Sequence, residues 1–149
     1  MDHTIIARAM LAVFCGLQGA ATAVIDLGRT HATHPGWLGH ARFHVVWQTV
    51  NVVLLSLFEI ALVLVPGPFP TLRFEIAVIL CGAPVLGFFI ALLTRRLYGG
   101  TLSDPHGMSP WVVRVLGTQH QIDLNVVTEM VALASLASIA ALYRSRNPF

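Results

Sequence analysis

The sequence predicts an all-α membrane protein, a four-helix bundle of the up-down type that crosses the bilayer four times. Of its 149 residues, 56% are hydrophobic and 11% are charged, whereas a soluble domain of this size carries roughly 25% charged residues. Four apolar segments, at about 5–27, 44–65, 74–93 and 120–143, each approach the roughly 20 residues that a membrane helix needs. We therefore expect one integral-membrane domain over 1–149, without a separate soluble module.

The connections between the four segments contain turn-forming residues. Pro35 and Gly36 interrupt the first connection, VPGPFPT at 65–71 forms the second, and YGGTLSDPHGMSP at 98–110 forms the third. Four arginines lie on one predicted face and five on the other, and the chain contains no lysine. The positive-inside rule therefore does not give the orientation in the membrane.

Polar residues are predicted to gather at one end of the bundle. An up-down bundle places its first and third connections on the same membrane face, which collects Asp26, Asp104 and Asp123 near six of the seven histidines. These histidines are His31, His34, His40, His44, His106 and His120. Because the rest of the chain is so apolar, this cluster is the strongest indication of function in the sequence.

Helical spacing predicts polar stripes that face one another inside the bundle. One arc of the second helix, about 100° wide, collects five polar residues. They are His40, His44, Gln48, Asn51 and Glu59. Gln18 and Asp26 share a stripe on the first helix, and His120 and Asp123 share a face of the fourth. Since polar groups in lipid are costly, we expect a polar cleft between helices 1, 2 and 4, with helix 3 as its wall.

Deeper in the bundle, two carboxyl groups have different expected roles. Glu59 and Arg8 lie at similar depth, so we expect a buried ion pair between them. Glu129 has no obvious partner, and an intramembrane carboxyl of this kind indicates a functional group, either an acid or a proton relay. A neutral Glu129, hydrogen-bonded to Gln18 or Asn51, is the structural alternative.

The cysteines are expected to be structural. Cys15 and Cys81 lie in hydrophobic segments and show no CxxC or zinc-type spacing. Buried free thiols are the interpretation that we prefer.

The histidine spacings predict a metal site. His31-x-x-His34, His40-x-x-x-His44 and His120-x-x-Asp123 each place two ligands on one side of a helix or turn, and imidazole with carboxylate suits iron or zinc. These pairs resemble the histidine boxes of membrane fatty-acid desaturases and hydroxylases, although this chain has fewer histidines and no adjacent pair. The resemblance implies oxygen chemistry at iron.

We therefore expect a metal-dependent, oxidoreductase-like enzyme that acts on a lipid-soluble substrate. The predicted metal ligands are His31, His34, His40, His44, His120, Asp26 and Asp123. The predicted catalytic residues are His44, His120, Asp123, Glu129 and Asn51, and the predicted substrate contacts are Arg42, Trp47, Gln48 and Gln18. Arg42 would hold an anionic group.

Two other classes of function remain open from the sequence. A metal-free acid and base in an apolar cleft would support an isomerase or cyclase of isoprenoid or sterol-like substrates. A b-type haem held by His44 and His120, a quinone-linked redox subunit or a partner in a membrane complex would be non-catalytic. The expected partners are membrane lipids and a second copy of the chain, packed through small residues such as Gly16 and Gly19. The charged residues show no pattern typical of a nucleic-acid-binding surface, so we expect no nucleic-acid partner.

Overall fold

The structure, a computed structural model, describes residues 3–102 and 110–145. Asp104 and His106, predicted to belong to the polar cluster at one end of the bundle, lie outside the described residues. The structure is mostly helical. The elements in chain order are α1 (His3–Asp26), α2 (Gly39–Leu64), α3 (Pro70–Thr94), a 3₁₀ turn (Arg95–Leu97), β1 (Trp111–Val115), β2 (Thr118–Ile122) and α4 (Leu124–Arg144). All four α-helices are long and apolar enough to cross a membrane.

The helix starts follow from local chemistry. Pro70 occupies the first turn of α3, where its missing N–H leaves no helical hydrogen bond unmade. α2 begins at Gly39, about one turn earlier than predicted, and therefore includes His40. α4 begins at Leu124 because the Asp123 carboxylate accepts hydrogen bonds from the backbone N–H groups of Asn125 and Val126.

The chain is mostly helical, as predicted, but a β-hairpin precedes α4, so the predicted start of the fourth helix at 120 was wrong. His120 lies in β2, opposite Val113 of β1 in an antiparallel pair. Leu116 and Gly117 join the strands with φ angles of 50° and 81°, as a two-residue type I′ turn requires. Residues 111–115 pair with residues 118–122 across this turn, which makes both segments extended rather than helical.

α1 and α2 run antiparallel and pack along their lengths. The Arg8 side chain near the start of α1 reaches the Val63 carbonyl near the end of α2. At the other end, the Thr49 hydroxyl donates to the Asp26 carboxylate over 3.4 Å. Between these contacts, Gly19 lies directly against Ser56. The absence of a side chain at Gly19 therefore sets the distance between the two helices.

The four helices form a ring in the order α1, α2, α3, α4. α3 and α4 meet at Phe74 and Tyr143, whose rings stack with centroids 3.8 Å apart, and α4 also packs against α1. Within the described residues, α1 and α3 approach across one diagonal, whereas α2 and α4 stand at opposite corners and barely touch. In the predicted cleft between helices 1, 2 and 4, the described parts of α2 and α4 therefore do not pack against each other along most of their lengths.

Packing is concentrated in the half of the bundle away from the histidines. The hydrophobic core consists mainly of side chains from the start of α1, the end of α2, the start of α3 and the end of α4. In the described part of the opposite half, which comprises α1 after Gly19, α2 before Ser56, α3 after Val85 and α4 before Leu136, only Thr49 is buried. The helices are therefore tightly packed at one end and loosely packed at the histidine end.

Gly19→Ala is expected to destabilise the bundle, because a Cβ atom at residue 19 would lie 2.8 Å from Ser56 Oγ and 2.9 Å from Ser56 Cβ. Overpacking of this kind costs about 1–3 kcal/mol. The matched control is Gly87→Ala on α3, where a Cβ atom meets nothing within 4 Å; it should be neutral or stabilise by up to about 1 kcal/mol. Equilibrium unfolding in detergent measures both variants, and equal stabilities would contradict the close contact.

Candidate functional site

Three helices bring two thiols and a carboxyl group together in the core. One ligand atom from each of Cys15, Glu59 and Cys81 lies within 4.8 Å of the other two. The three residues are 0%, 1% and 0% exposed, respectively. Among residues 3–102 and 110–145, this is the one group of three or more His, Cys, Asp or Glu side chains with such spacing. We call it the Cys–Glu–Cys centre.

Each residue of the centre occupies a core position of its helix. Cys15 continues the buried series Ala7, Leu11 and Gly19 of α1 at four-residue intervals. Glu59 lies on the buried face of α2 between Ser56 and Val63. Cys81 lies on the buried face of α3, one turn after Ala77. The helical periodicity that normally buries apolar side chains therefore buries two thiols and a carboxyl group here.

Gln18 fixes the orientation of Cys81. The Cys81 thiol donates to Gln18 Oε1 over 3.2 Å, while Gln18 Nε2 donates to the Cys81 carbonyl over 3.1 Å. The two sulfur atoms of Cys15 and Cys81 lie 3.3 Å apart. Gln18, predicted as a substrate contact, therefore lies beside the centre.

Two buried oxygen atoms on α2, one at the centre and one a turn away, have unused bonding capacity. Glu59 Oε2 and Ser56 Oγ have no hydrogen-bond partner among the described residues. They belong to the same face of α2, one turn apart. A buried polar atom without a partner costs about 1–3 kcal/mol, so these oxygens favour a ligand that would bond to them.

The donor atoms suit a transition metal. Thiolate and carboxylate ligands bind zinc tetrahedrally at about 2.3 Å and 2.0–2.2 Å, which places two sulfur ligands roughly 3.7 Å apart. The sulfur separation of 3.3 Å is close to that value, so a small outward movement of the side chains would admit an ion. Three protein ligands also leave a fourth position for water or substrate.

At the histidine end, the structure brings one predicted pair of ligands together. Nε2 of His40 and Nε2 of His44 lie 3.1 Å apart, and both residues are exposed on the first turns of α2. Two imidazole nitrogens bound to one ion are separated by about 3.0–3.4 Å. Phe43 and Trp47 flank the His44 ring. The pair offers two ligands of the predicted set.

The other half of the predicted metal site lies elsewhere. His120 is exposed on β2, and its predicted position on a helical face with Asp123 was wrong because residues 118–122 are extended. The Asp123 carboxylate is occupied as the N-cap of α4. Because α2 and α4 stand at opposite corners, no described contact joins His120 or Asp123 to the His40–His44 pair.

The remaining predicted ligands are held within the first connection. The His31 ring bonds to the Thr30 hydroxyl and packs edge-on against Trp37. The His34 ring accepts a hydrogen bond from the backbone N–H of Gly36, and Asp26 accepts from Thr49. These contacts shape the connection and the adjoining helix ends.

Arg42 also has a structural role in this connection. Its Nε donates to the Trp37 carbonyl over 3.0 Å, and its Nη2 donates to the carbonyls of His34 and Pro35 over 2.8 Å and 3.3 Å. Two of its three guanidinium nitrogens are thus engaged. One guanidinium nitrogen, Nη1, has no described partner and is left for the predicted contact with an anionic group.

The other predicted residues occupy positions of different exposure. Trp47, Gln48 and Asn51 are exposed on α2, and Glu129 is half-buried on α4. The predicted pair of Arg8 with Glu59 was wrong, because the Arg8 guanidinium bonds to the Val63 carbonyl instead. Glu59 faces the two thiols.

Comparisons with protein-family models, with curated proteins and with solved structures give no match. The functional interpretation therefore rests on the geometry of the chain itself.

The expectation that both cysteines are buried free thiols is confirmed. Their pairing with Glu59 was not anticipated, because the three residues lie on different helices and have no short-range spacing. The available signal was that each falls on the buried face of its helix near other small or apolar residues. Such a signal does not specify which helices become neighbours.

Arg42→Met is expected to loosen the first connection, because it removes charged donors from three backbone carbonyls. Loss of such bonds costs about 1–3 kcal/mol, which corresponds to roughly 10-fold or faster amide exchange over residues 31–39. Hydrogen exchange with mass spectrometry measures this effect. Arg29→Met, at an exposed site in the same connection, is the control. Equal exchange in the two variants would contradict a stabilising role for the Arg42 hydrogen bonds.

Proposed function

We propose that this chain is an integral-membrane protein that crosses the bilayer four times in alternating directions and binds one transition-metal ion at the Cys–Glu–Cys centre. The observation that supports this proposal is the meeting of Cys15, Glu59 and Cys81 within 4.8 Å in a buried core. The proposed activity is an oxidoreductase-like reaction on a lipid-soluble substrate.

The ligand types narrow the choice of metal. Soft thiolate ligands select zinc, iron or copper(I), whereas magnesium and calcium prefer sites made of oxygen atoms alone. Thiolates bind only when deprotonated, so metal binding releases protons. The cation would also offset the negative charge of the ligands, which an apolar interior otherwise disfavours. Iron and zinc therefore remain the proposed metals, and the proposed ligands are the buried Cys15, Glu59 and Cys81 instead of the histidines.

The surroundings of the centre indicate the class of substrate. The core residues beside Cys15 and Cys81 include Leu11, Ala77 and Leu136, which are apolar. A molecule that reaches the fourth metal position would meet this apolar wall together with Ser56 and Gln18. The looser packing of the histidine end offers a route from the lipid or the membrane surface. These features favour a small hydrophobic molecule with one polar group.

A second function is favoured by the 3.3 Å contact between the two sulfur atoms. In this alternative the cysteines are a two-electron redox pair without a metal. Both thiols lose a proton and an electron, an S–S bond forms between α1 and α3, and a lipid-soluble quinone takes up the two electrons and two protons as a quinol. Glu59 is placed to accept a proton from either thiol during this step.

Cobalt(II) titration of the detergent-purified, metal-stripped chain tests the metal proposal. Binding at thiolates is expected to give one equivalent of cobalt per chain, with a sulfur-to-cobalt charge-transfer band and the visible bands of a tetrahedral site. Cys15→Ser and Cys81→Ser should each remove the charge-transfer band or reduce it by about half. Glu59→Gln should weaken binding by at least about 10-fold, since loss of even an outer-shell partner of a metal ligand weakens binding about 10- to 100-fold.

Two control variants separate this site from the alternatives on the chain. Glu129→Gln removes a half-buried carboxyl group outside the centre and should leave cobalt binding unchanged. His44→Ala breaks the His40–His44 pair and should also leave the thiolate band unchanged. Cobalt that binds without a charge-transfer band and is lost in His44→Ala would refute the proposed centre and support the histidine site.

The redox alternative predicts a reversible internal disulfide. Incubation of the reduced, metal-free chain with a short-chain quinone should lower its intact mass by about 2 Da, as expected for loss of two hydrogen atoms, and dithiothreitol should restore the mass. Cys15→Ser serves as the control, since it cannot form the bond. Two free thiols per chain after quinone treatment would exclude this alternative.

A further inference from the structure

A cavity of about 200 Å³ lies at the opposite end of the bundle from the histidines. It is lined by the end of α2, the connection to α3 and the starts of α1 and α3. Its lining combines two arginines, Arg8 and Arg73, with apolar residues such as Leu62, Val63 and Phe74. The cavity therefore places two cations beside an apolar wall.

The positive charge in this cavity has no described counter-ion. None of the lining residues is acidic. Among the residues that the structure describes, the ion pair joins Arg144 to Glu75, neither of which lines the cavity. Two guanidinium groups at one small cavity repel each other unless an anion lies between them.

Both guanidinium groups are held in place while keeping free donors. Arg8 uses Nε and Nη2 on the Val63 carbonyl, and Arg73 uses Nη2 on the Ala61 carbonyl over 3.1 Å. Nη1 of Arg8 and both Nε and Nη1 of Arg73 have no hydrogen-bond partner in the described part of the chain. Groups already fixed by the backbone lose little conformational freedom on binding, which favours affinity.

We propose that Arg8 and Arg73 bind a phosphate group in this cavity, most simply that of an anionic phospholipid headgroup. The guanidinium fork matches phosphate oxygens in paired hydrogen bonds. α2 ends at Leu64, so the proposed membrane crossing places the cavity at the level of the headgroups, with Leu62 and Phe74 beside the glycerol and upper acyl chain. The inference rests on the membrane crossing and is independent of the metal centre.

Native mass spectrometry of the full chain in a neutral detergent tests this proposal, with dihexanoyl phosphatidylglycerol as the probe. The wild-type chain is expected to bind one equivalent. Arg73→Met should weaken binding by at least about 10-fold, in the range for loss of a charged hydrogen-bond donor, and Arg8→Met should act in the same direction. Arg29→Met, an exposed arginine at the other end, should change the affinity by less than about twofold.

Competition identifies the source of the phosphate. Displacement of the lipid by millimolar inorganic phosphate would assign the site to free phosphate, whereas failure to displace it would assign the site to a lipid headgroup. Unchanged lipid binding in Arg73→Met, or no binding of either probe to the wild-type chain, would overturn the proposal. If Arg8→Met does not fold, Arg73→Met suffices, since Arg73 makes one backbone bond where Arg8 makes two.

The two proposals fail independently. Arg73→Met should keep the cobalt charge-transfer band of the Cys–Glu–Cys centre, and Cys15→Ser should keep phosphatidylglycerol binding. Loss of both signals in both variants would indicate a general loss of fold.

Discussion

The close approach of α1 to α2 at Gly19 and Ser56 is the constraint on which the arrangement of the interior depends. In a lipid environment the hydrophobic effect does not drive helices together, so small residues that allow close packing determine which faces meet. With Gly19 against Ser56, the turn of α1 before Gly19 lies beside the turn of α2 after Ser56. Cys15 and Glu59 are thereby neighbours, and the short diagonal to α3 adds Cys81.

The tightly packed half of the bundle contains most of the buried side chains, including those of Cys15, Glu59 and Cys81. The half that contains the start of α1 and the end of α4 is filled by apolar and aromatic side chains, including the stacked rings of Phe74 and Tyr143. The Cys–Glu–Cys centre lies where this packed half ends. Beyond it, towards the histidines, the helices are held at few points, such as Thr49 with Asp26.

Arginine side chains stabilise the connections in a chain that contains no lysine. Arg42 binds carbonyls of the first connection, while Arg8 and Arg73 bind carbonyls near the end of α2. Helix C-termini expose carbonyl groups without helical partners, and the planar guanidinium group can bond to several oxygens at once. Part of the positive charge near the helix ends is therefore used to hold the backbone.

The sequence by itself determined the four long apolar helices, because hydrophobic length is a local property that sets whether a segment can span a bilayer. It also indicated that Cys15 and Cys81 would be buried thiols. It failed at residues 120–122, where the turn at Leu116 and Gly117 pairs this segment with β1 as a hairpin. Only the tertiary structure decided that Arg8 would bind a carbonyl rather than Glu59. It alone separated α2 from α4 and joined Cys15, Glu59 and Cys81, because interhelical neighbours depend on which faces pack, and periodicity within one helix does not specify that choice.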